Sequence, residues 1–173
     1  MDRLWAPWRA SYILNHAPGT GGSDCFLCRG LASKADRDNL IVWRRSRSVV
    51  VLNRYPYNNG HLLVAPIAHR GSLTDFDGDD LQEPIATIRL CLLVLDRLLR
   101  PQGYNIGLNQ GVAAGAGLPG HLHWHIVPRW DGDSNFMPIL GDVKVIVESL
   151  DQFHDRFTAE LKRFEAESGP QRP

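Results

Sequence analysis

The residues best suited to chemistry are three histidines at alternate positions, His121-Leu-His123-Trp-His125. In an extended strand, alternation sends the three imidazoles to one face and Leu122, Trp124 and Ile126 to the other. Successive rings would stand about 7 Å apart, given a rise of roughly 3.3 Å per residue. A lone histidine is ordinarily a satisfied core residue. A row of three is harder to explain that way, because each buried imidazole needs hydrogen-bond partners. Two chemical readings remain open. Neutral imidazoles on one face could hold a metal ion, or one could attack phosphorus as a nucleophile while its neighbours donate to phosphate oxygens and the leaving group. The glycine-rich stretch Gly111 to Gly120 just before the row suits an anion, since residues without Cβ let backbone N–H groups approach closely.

A second candidate is Cys25-Phe-Leu-Cys28, which has the spacing of half a tetrahedral zinc site and needs two further nitrogen or sulfur donors. The chain has three cysteines, an odd number too small for a disulfide scaffold. Cys91 falls in an apolar helical stretch and reads as core.

The elements that must position these groups are legible in outline. Runs rich in β-branched and apolar residues predict strands over Leu40–Arg44, Ser48–Asn53 and His61–Ala65, the last two joined by a turn through Tyr55 to Gly60. Further strands are expected over Tyr104–Asn109 and His121–Val127. Apolar residues at Leu81, Ile85, Ile88, Leu92, Leu95 and Leu99 predict an amphipathic helix capped by Asp79 or Asp80. A last helix is expected from Asp142 through Phe164, with a disordered tail after Glu167. Strands grouped before and after one long helix argue for an α+β fold with a mainly antiparallel sheet. Neither a P-loop nor a Rossmann fingerprint occurs, so a bound nucleotide would be held another way.

A length of 173 residues suits one domain. The expected organisation is an N-terminal arm over 1–22 and a domain over 23–140, completed by the C-terminal helix and tail over 141–173. With 19 basic and 19 acidic side chains the formal charge is zero, so no overall field points to a nucleic-acid or membrane partner. The longest interior apolar run, Leu90 to Leu95, is far short of the roughly 18–20 residues that span a bilayer. The N-terminus has no signal-peptide core. A cytoplasmic protein is expected.

The triad, followed by Pro128-Arg129, resembles the signature of the histidine triad family. Val51-Leu-Asn53-Arg-Tyr-Pro56, Gly60-His61-Leu-Leu-Val64 and Asn109-Gln-Gly111 with Ala114-Gly115 extend the resemblance from about Cys25 to Trp130. It implies a homodimer of α+β subunits that cleaves at a nucleotide α-phosphate in two steps. His123 would form a covalent nucleotidyl intermediate, His125 would bind phosphate, and His121 would assist or ligate a metal. Asn53 matches a position near the ribose, His61 one beside the active site, and Asn109 one that contacts phosphate, with Gly115 in the adjoining loop. The resemblance also implies a structural zinc held by Cys25, Cys28, His69 and His121. Leu4-Trp-Ala-Pro-Trp-Arg9 with Tyr12, and Pro128-Arg-Trp-Asp-Gly-Asp-Ser-Asn-Phe136, are similar to the bacterial diadenosine tetraphosphate phosphorylase branch. Arg129 could then clamp a polyphosphate or an incoming inorganic phosphate, and Trp130 or Phe136 could stack on a base. The function so implied is nucleotidyl transfer or hydrolysis on dinucleoside polyphosphates, with phosphorolysis favoured. The alternatives are a nucleoside phosphoramidate hydrolase and a nucleotide-binding protein without catalysis.

Overall fold

The computed structural model describes residues 25–133 and 146–168. The expectations placed on the arm over 1–22, on Asn135 and Phe136, and on the tail beyond residue 168 lie outside the described residues. Element order is α1 (Phe26–Ala32), β1 (Ile41–Arg44), β2 (Ser48–Leu52), β3 (Leu62–Pro66), α2 (Gly78–Leu99), β4 (Gly103–Leu108), β5 (Trp124–Arg129) and α3 (Leu150–Ser168). The strands form one sheet in the order β1-β2-β3-β5-β4, every neighbouring pair antiparallel. This is the α+β architecture expected from the sequence.

Register decides which side chains share a face. Val51 pairs with Leu63, Leu63 with His125, and His125 with Gly107. Strand pleating puts this row on one face and Val50, Val64 and Trp124 on the other. The second set is buried, and α2 packs against β2 and β3. Val94, Leu95, Ile126 and Phe157 complete the core. Helix α3 packs on α2 and β1. There the buried His154 donates from Nε2 to the Ile41 carbonyl at 2.9 Å.

Two helix starts differ from expectation. Helix α2 begins at Gly78 with Asp77 at its N-cap, ahead of Asp79 and Asp80. Its buried face runs through Glu83, Pro84, Thr87, Ile88, Cys91, Val94 and Leu95, while Ile85 is 49 % exposed. The apolar periodicity missed this rotation because two polar residues take core positions. Helix α3 starts at Leu150, so Ile146 and Val147 precede it, and Val147 is 81 % exposed. Cys91 is fully buried, as its apolar setting suggested. Helix α1 was not expected, because seven residues are too few for a periodic signal. Among the described residues no helix is long and apolar enough to cross a membrane.

Glu83 earns its core position through hydrogen bonds. Its carboxylate accepts from the Arg47 backbone N–H at 2.7 Å, the Ser48 hydroxyl at 3.0 Å and the Ser46 hydroxyl, and Ser48 also meets Thr87 at 2.9 Å. These bonds tie the β1–β2 turn to α2. Burial pushes the Glu83 carboxyl upward, but the hydrogen bonds from Ser46, Arg47 and Ser48 outweigh it and hold the group below its ordinary value. A depressed folded-state pKa contributes stability that is present above the unfolded carboxylate pKa and lost as pH falls through the folded value. Glu83→Gln is therefore expected to cost about 1–3 kcal/mol near pH 7. The gap from the parent protein should narrow below about pH 4, as urea denaturation across pH would measure.

Candidate active site and metal-ligand group

Helix α1 brings its two cysteines together. Cys25 is the N-cap, its Sγ accepting the Cys28 N–H at 3.4 Å, and the i, i+3 spacing sets both thiols on one side. His121 Nδ1 lies 3.3 Å from Cys25 Sγ and 3.5 Å from Cys28 Sγ, and His69 Nδ1 lies 3.2 Å from Cys28 Sγ. One ligand atom from each of the four residues falls within 4.8 Å of every other. Two thiols and two imidazole nitrogens at these spacings fit a single tetrahedral ion. The protonation pattern fits as well, since His121 donates from Nε2 to the Pro66 carbonyl at 2.8 Å, which keeps the Nδ1 lone pair for the thiol side.

His121 therefore departs from the row expected of a continuous strand. β5 begins only at Trp124. The preceding segment is held by Leu122 N–H on the Arg70 carbonyl at 2.8 Å and by His121 N–H on Leu118 at 3.3 Å. Its imidazole points to the cysteines, with the His69 ring edge-on at 5.0 Å, and is absent from the cavity wall.

His123 and His125 do line that cavity, of about 940 Å³, together with Asn53, Asn109 and Gly115. Their ring centroids are 5.1 Å apart. His123 donates from Nδ1 to the His121 carbonyl at 2.9 Å, which fixes its tautomer and leaves the Nε2 lone pair open to the cavity. Burial pushes the His123 pKa down, against the upward pull of that carbonyl. Gly115 adopts φ of 83°, a left-handed conformation that favours glycine, and so turns the loop beside the histidines.

A fourth histidine governs His125. The Tyr57 backbone N–H donates to His61 Nδ1 at 3.0 Å, so the neutral His61 carries its proton on Nε2. That N–H then donates to His125 Nδ1 at 2.9 Å, leaving the His125 proton on Nε2. Burial, and next the nearby His123, push the His125 pKa down to about 4. His125 is thus a neutral N–H donor near pH 7. Tyr57 adds a parallel stack on His125 with centroids 5.8 Å apart and planes 13° apart. Asn53 is committed locally, its Oδ1 accepting the Tyr55 N–H at 2.9 Å and its Nδ2 lying 3.3 Å from His61.

Arg129 is engaged within the fold. Asp133 grips its guanidinium in a bidentate pair at 2.6 and 2.7 Å, Asn105 takes a third contact at 2.7 Å, and Arg129 is not among the residues lining the cavity. A bound carboxylate already occupies the fork that a phosphate would need. Trp130 likewise lies off the cavity wall. Sequence reasoning missed Phe26, Arg29 and Tyr57, which do line it. Phe26 and Arg29 sit beside the cysteine pair on the short helix α1, and adjacency to that pair was the one available signal.

The site is thus a histidine pair of fixed tautomers at one end of a large cleft, with a separate cysteine–histidine group behind it. A HIT-domain family profile matches residues 34–132. The chain is 38 % identical over 154 residues to the AP-4-A phosphorylase of Mycobacterium tuberculosis, covering 87 % of this chain and 79 % of that one. It is 31 % identical over 101 residues to the asymmetrical bis(5'-nucleosyl)-tetraphosphatase of Schizosaccharomyces pombe, covering 58 % and 55 %. Its fold is similar to the crystal structure of a Zn-bound histidine triad family protein from Mycobacterium smegmatis, with TM-score 0.67 and 23 % identity over 85 % of this chain and 99 % of that one. The chain belongs to the HIT-domain family.

The hydrogen-bond relay has a direct spectroscopic consequence. Imidazole 15N NMR should find His125 as the neutral Nε2–H tautomer from pH 8 down to about pH 5. In His61→Phe the single tautomer should give way to an averaged signal; an unchanged His125 spectrum in that variant would show that His61 does not set it.

Proposed function

We propose that this protein is an enzyme that cleaves dinucleoside polyphosphates by nucleotidyl transfer through His123. The observation that carries the reading is the His123 hydrogen bond to the His121 carbonyl, which leaves a neutral Nε2 lone pair on the cavity wall. The names of the relatives from Mycobacterium tuberculosis and Schizosaccharomyces pombe support the substrate class.

In this reading His123 Nε2 attacks the α-phosphorus, forming a P–N bond as the P–O bond to the leaving nucleotide breaks. His125, with its proton on Nε2, donates to a phosphate oxygen where negative charge builds. Asn109, Ala114 and Gly115 line the same cleft. The second step returns the lone pair to His123 when an acceptor oxygen takes the nucleotidyl group. Inorganic phosphate is the favoured acceptor, in keeping with the phosphorylase relative.

The proposed ion of the cysteine–histidine group is structural zinc, held by Cys25, Cys28, His69 and His121. Two sulfur and two nitrogen donors are a standard zinc set, and all four positions are taken by protein, so the ion would supply rigidity. This reading places the protein in a reducing cytoplasm, where the cysteines stay thiols. A homodimer is proposed as well. It is supported by β4, an edge strand whose middle residues are exposed, Ile106 by 45 %.

Diadenosine tetraphosphate, with and without inorganic phosphate, distinguishes the acceptors. ADP and ATP formed only when phosphate is present are the expected products. AMP and ATP regardless of phosphate would make water the acceptor, and no cleavage would overturn the substrate class. The same preparation should carry about one zinc per chain, lost in Cys28→Ser.

A further inference from the structure

The cleft extends well past the histidines, and its far end has a chemistry of its own. Along the row His125, Leu63, Val51, adjacent strands lie about 4.8 Å apart, so Val51 stands about 10 Å from His125. That is the reach of a nucleoside 5'-phosphate from phosphorus to base. Phe26, Leu40, Val51 and Leu63 give this end an apolar wall suited to a base, and Asn53 and Arg54 border the ribose position between.

Arg29 and Arg54 both line the cavity, and both flank the segment Asp38–Asn39: Gly30, next to Arg29, packs against Asn39, and Arg54 reaches the Asp38 carbonyl. Among the described residues neither meets a carboxylate, and Arg54 makes only a 3.5 Å contact with the Asp38 carbonyl. Arg45, Arg70, Arg89 and Arg100 also lack a carboxylate partner among the described residues, but of the unpaired arginines Arg29 and Arg54 are the two that line the cavity. No aspartate or glutamate is found among the described residues lining the cavity. Next to Arg54 the cavity wall carries the neutral Asn53 amide, whose oxygen is already engaged by the Tyr55 N–H.

Electrostatics gives this combination a meaning. A carboxylate beside a ribose binds free hydroxyls and repels a phosphate there, whereas an arginine accommodates the phosphate, as in dinucleotide-binding folds that separate the two cofactor forms. Two guanidinium groups in a cleft, without a carboxylate partner among the described residues, attract a dianion and offer it forked N–H donors. Asn39, which also lines this end, keeps amide capacity for a base edge after donating to Ala35 at 2.7 Å.

We propose that Arg29 and Arg54 form a subsite for a phosphate esterified to the 2'- or 3'-hydroxyl of the bound nucleoside. Ribose-phosphorylated nucleotides are then a ligand class of this protein beyond its plain dinucleotide substrates. The inference rests on the reading that His123 and His125 take the 5'-phosphate end.

Calorimetric titration of the full chain with AMP, adenosine 2',5'-bisphosphate and adenosine 3',5'-bisphosphate tests it. One bisphosphate should bind about tenfold or more tightly than AMP. That advantage should fall to about twofold or less in the Arg29→Met/Arg54→Met double variant, and likewise in Asn53→Asp, where a carboxylate repels the added phosphate. AMP binding with no gain from the second phosphate would overturn this subsite alone. A gain that survives in the double variant would overturn it too, as would a double variant that changes only the preference between AMP and GMP. Failure of all three ligands to bind would overturn it together with the 5'-phosphate reading.

Discussion

The hydrogen bond from His123 Nδ1 to the main-chain carbonyl of His121 joins the two halves of this molecule, at 2.9 Å and across only two residues. One of its partners belongs to the cysteine–histidine group and the other to the cleft. His121 is held three ways, by its ring Nε2 on Pro66, by its Nδ1 against two thiols, and by its N–H on Leu118. Its carbonyl is consequently a fixed acceptor. A fixed acceptor selects one tautomer of His123, and that choice decides which nitrogen is left with a lone pair on the cleft side. The sheet makes the arrangement rigid, since β5 lies between β3 and β4 with ladder bonds on both sides.

The same logic recurs on the neighbouring strand. His61 opens onto β3, and its ring passes the orientation of the Tyr57 peptide to His125. Two relays thus fix two imidazoles in complementary forms: a bare Nε2 on His123 and an Nε2–H on His125. Burial holds both pKa values below the ordinary histidine value, so neither ring needs a separate base to be neutral near pH 7. The division between acceptor and donor is set by backbone groups, which do not titrate.

Much of this could be read in the sequence, for identifiable reasons. Strands β2 and β3 announce themselves through unbroken apolar runs, Val49 to Leu52 and Leu62 to Ala65, because both faces are covered. The histidine spacing pointed to the pair that lines the cleft, and Cys-x-x-Cys pointed to half of the cysteine–histidine group. What the spacing could not convey is that His121 leaves the row. Its direction depends on Pro66, Cys25 and Cys28, which are 55, 96 and 93 residues away. The pairing of Arg129 was illegible for a related reason, since an arginine in the sequence does not say whether Asp133 holds it. The buried face of α2 was misjudged because Glu83 and Thr87 replace apolar residues in a hydrogen-bonded cluster with Ser48.

His123 is the residue proposed to carry the nucleotidyl group. Rapid quenching of the enzyme during turnover of diadenosine tetraphosphate, followed by peptide mass spectrometry, tests it directly. The account predicts an adenylyl group on the peptide holding residues 121–125, localised to His123 by fragmentation and absent in His123→Ala. An adduct on His125 or His121 instead, or steady turnover in His123→Ala, would contradict it.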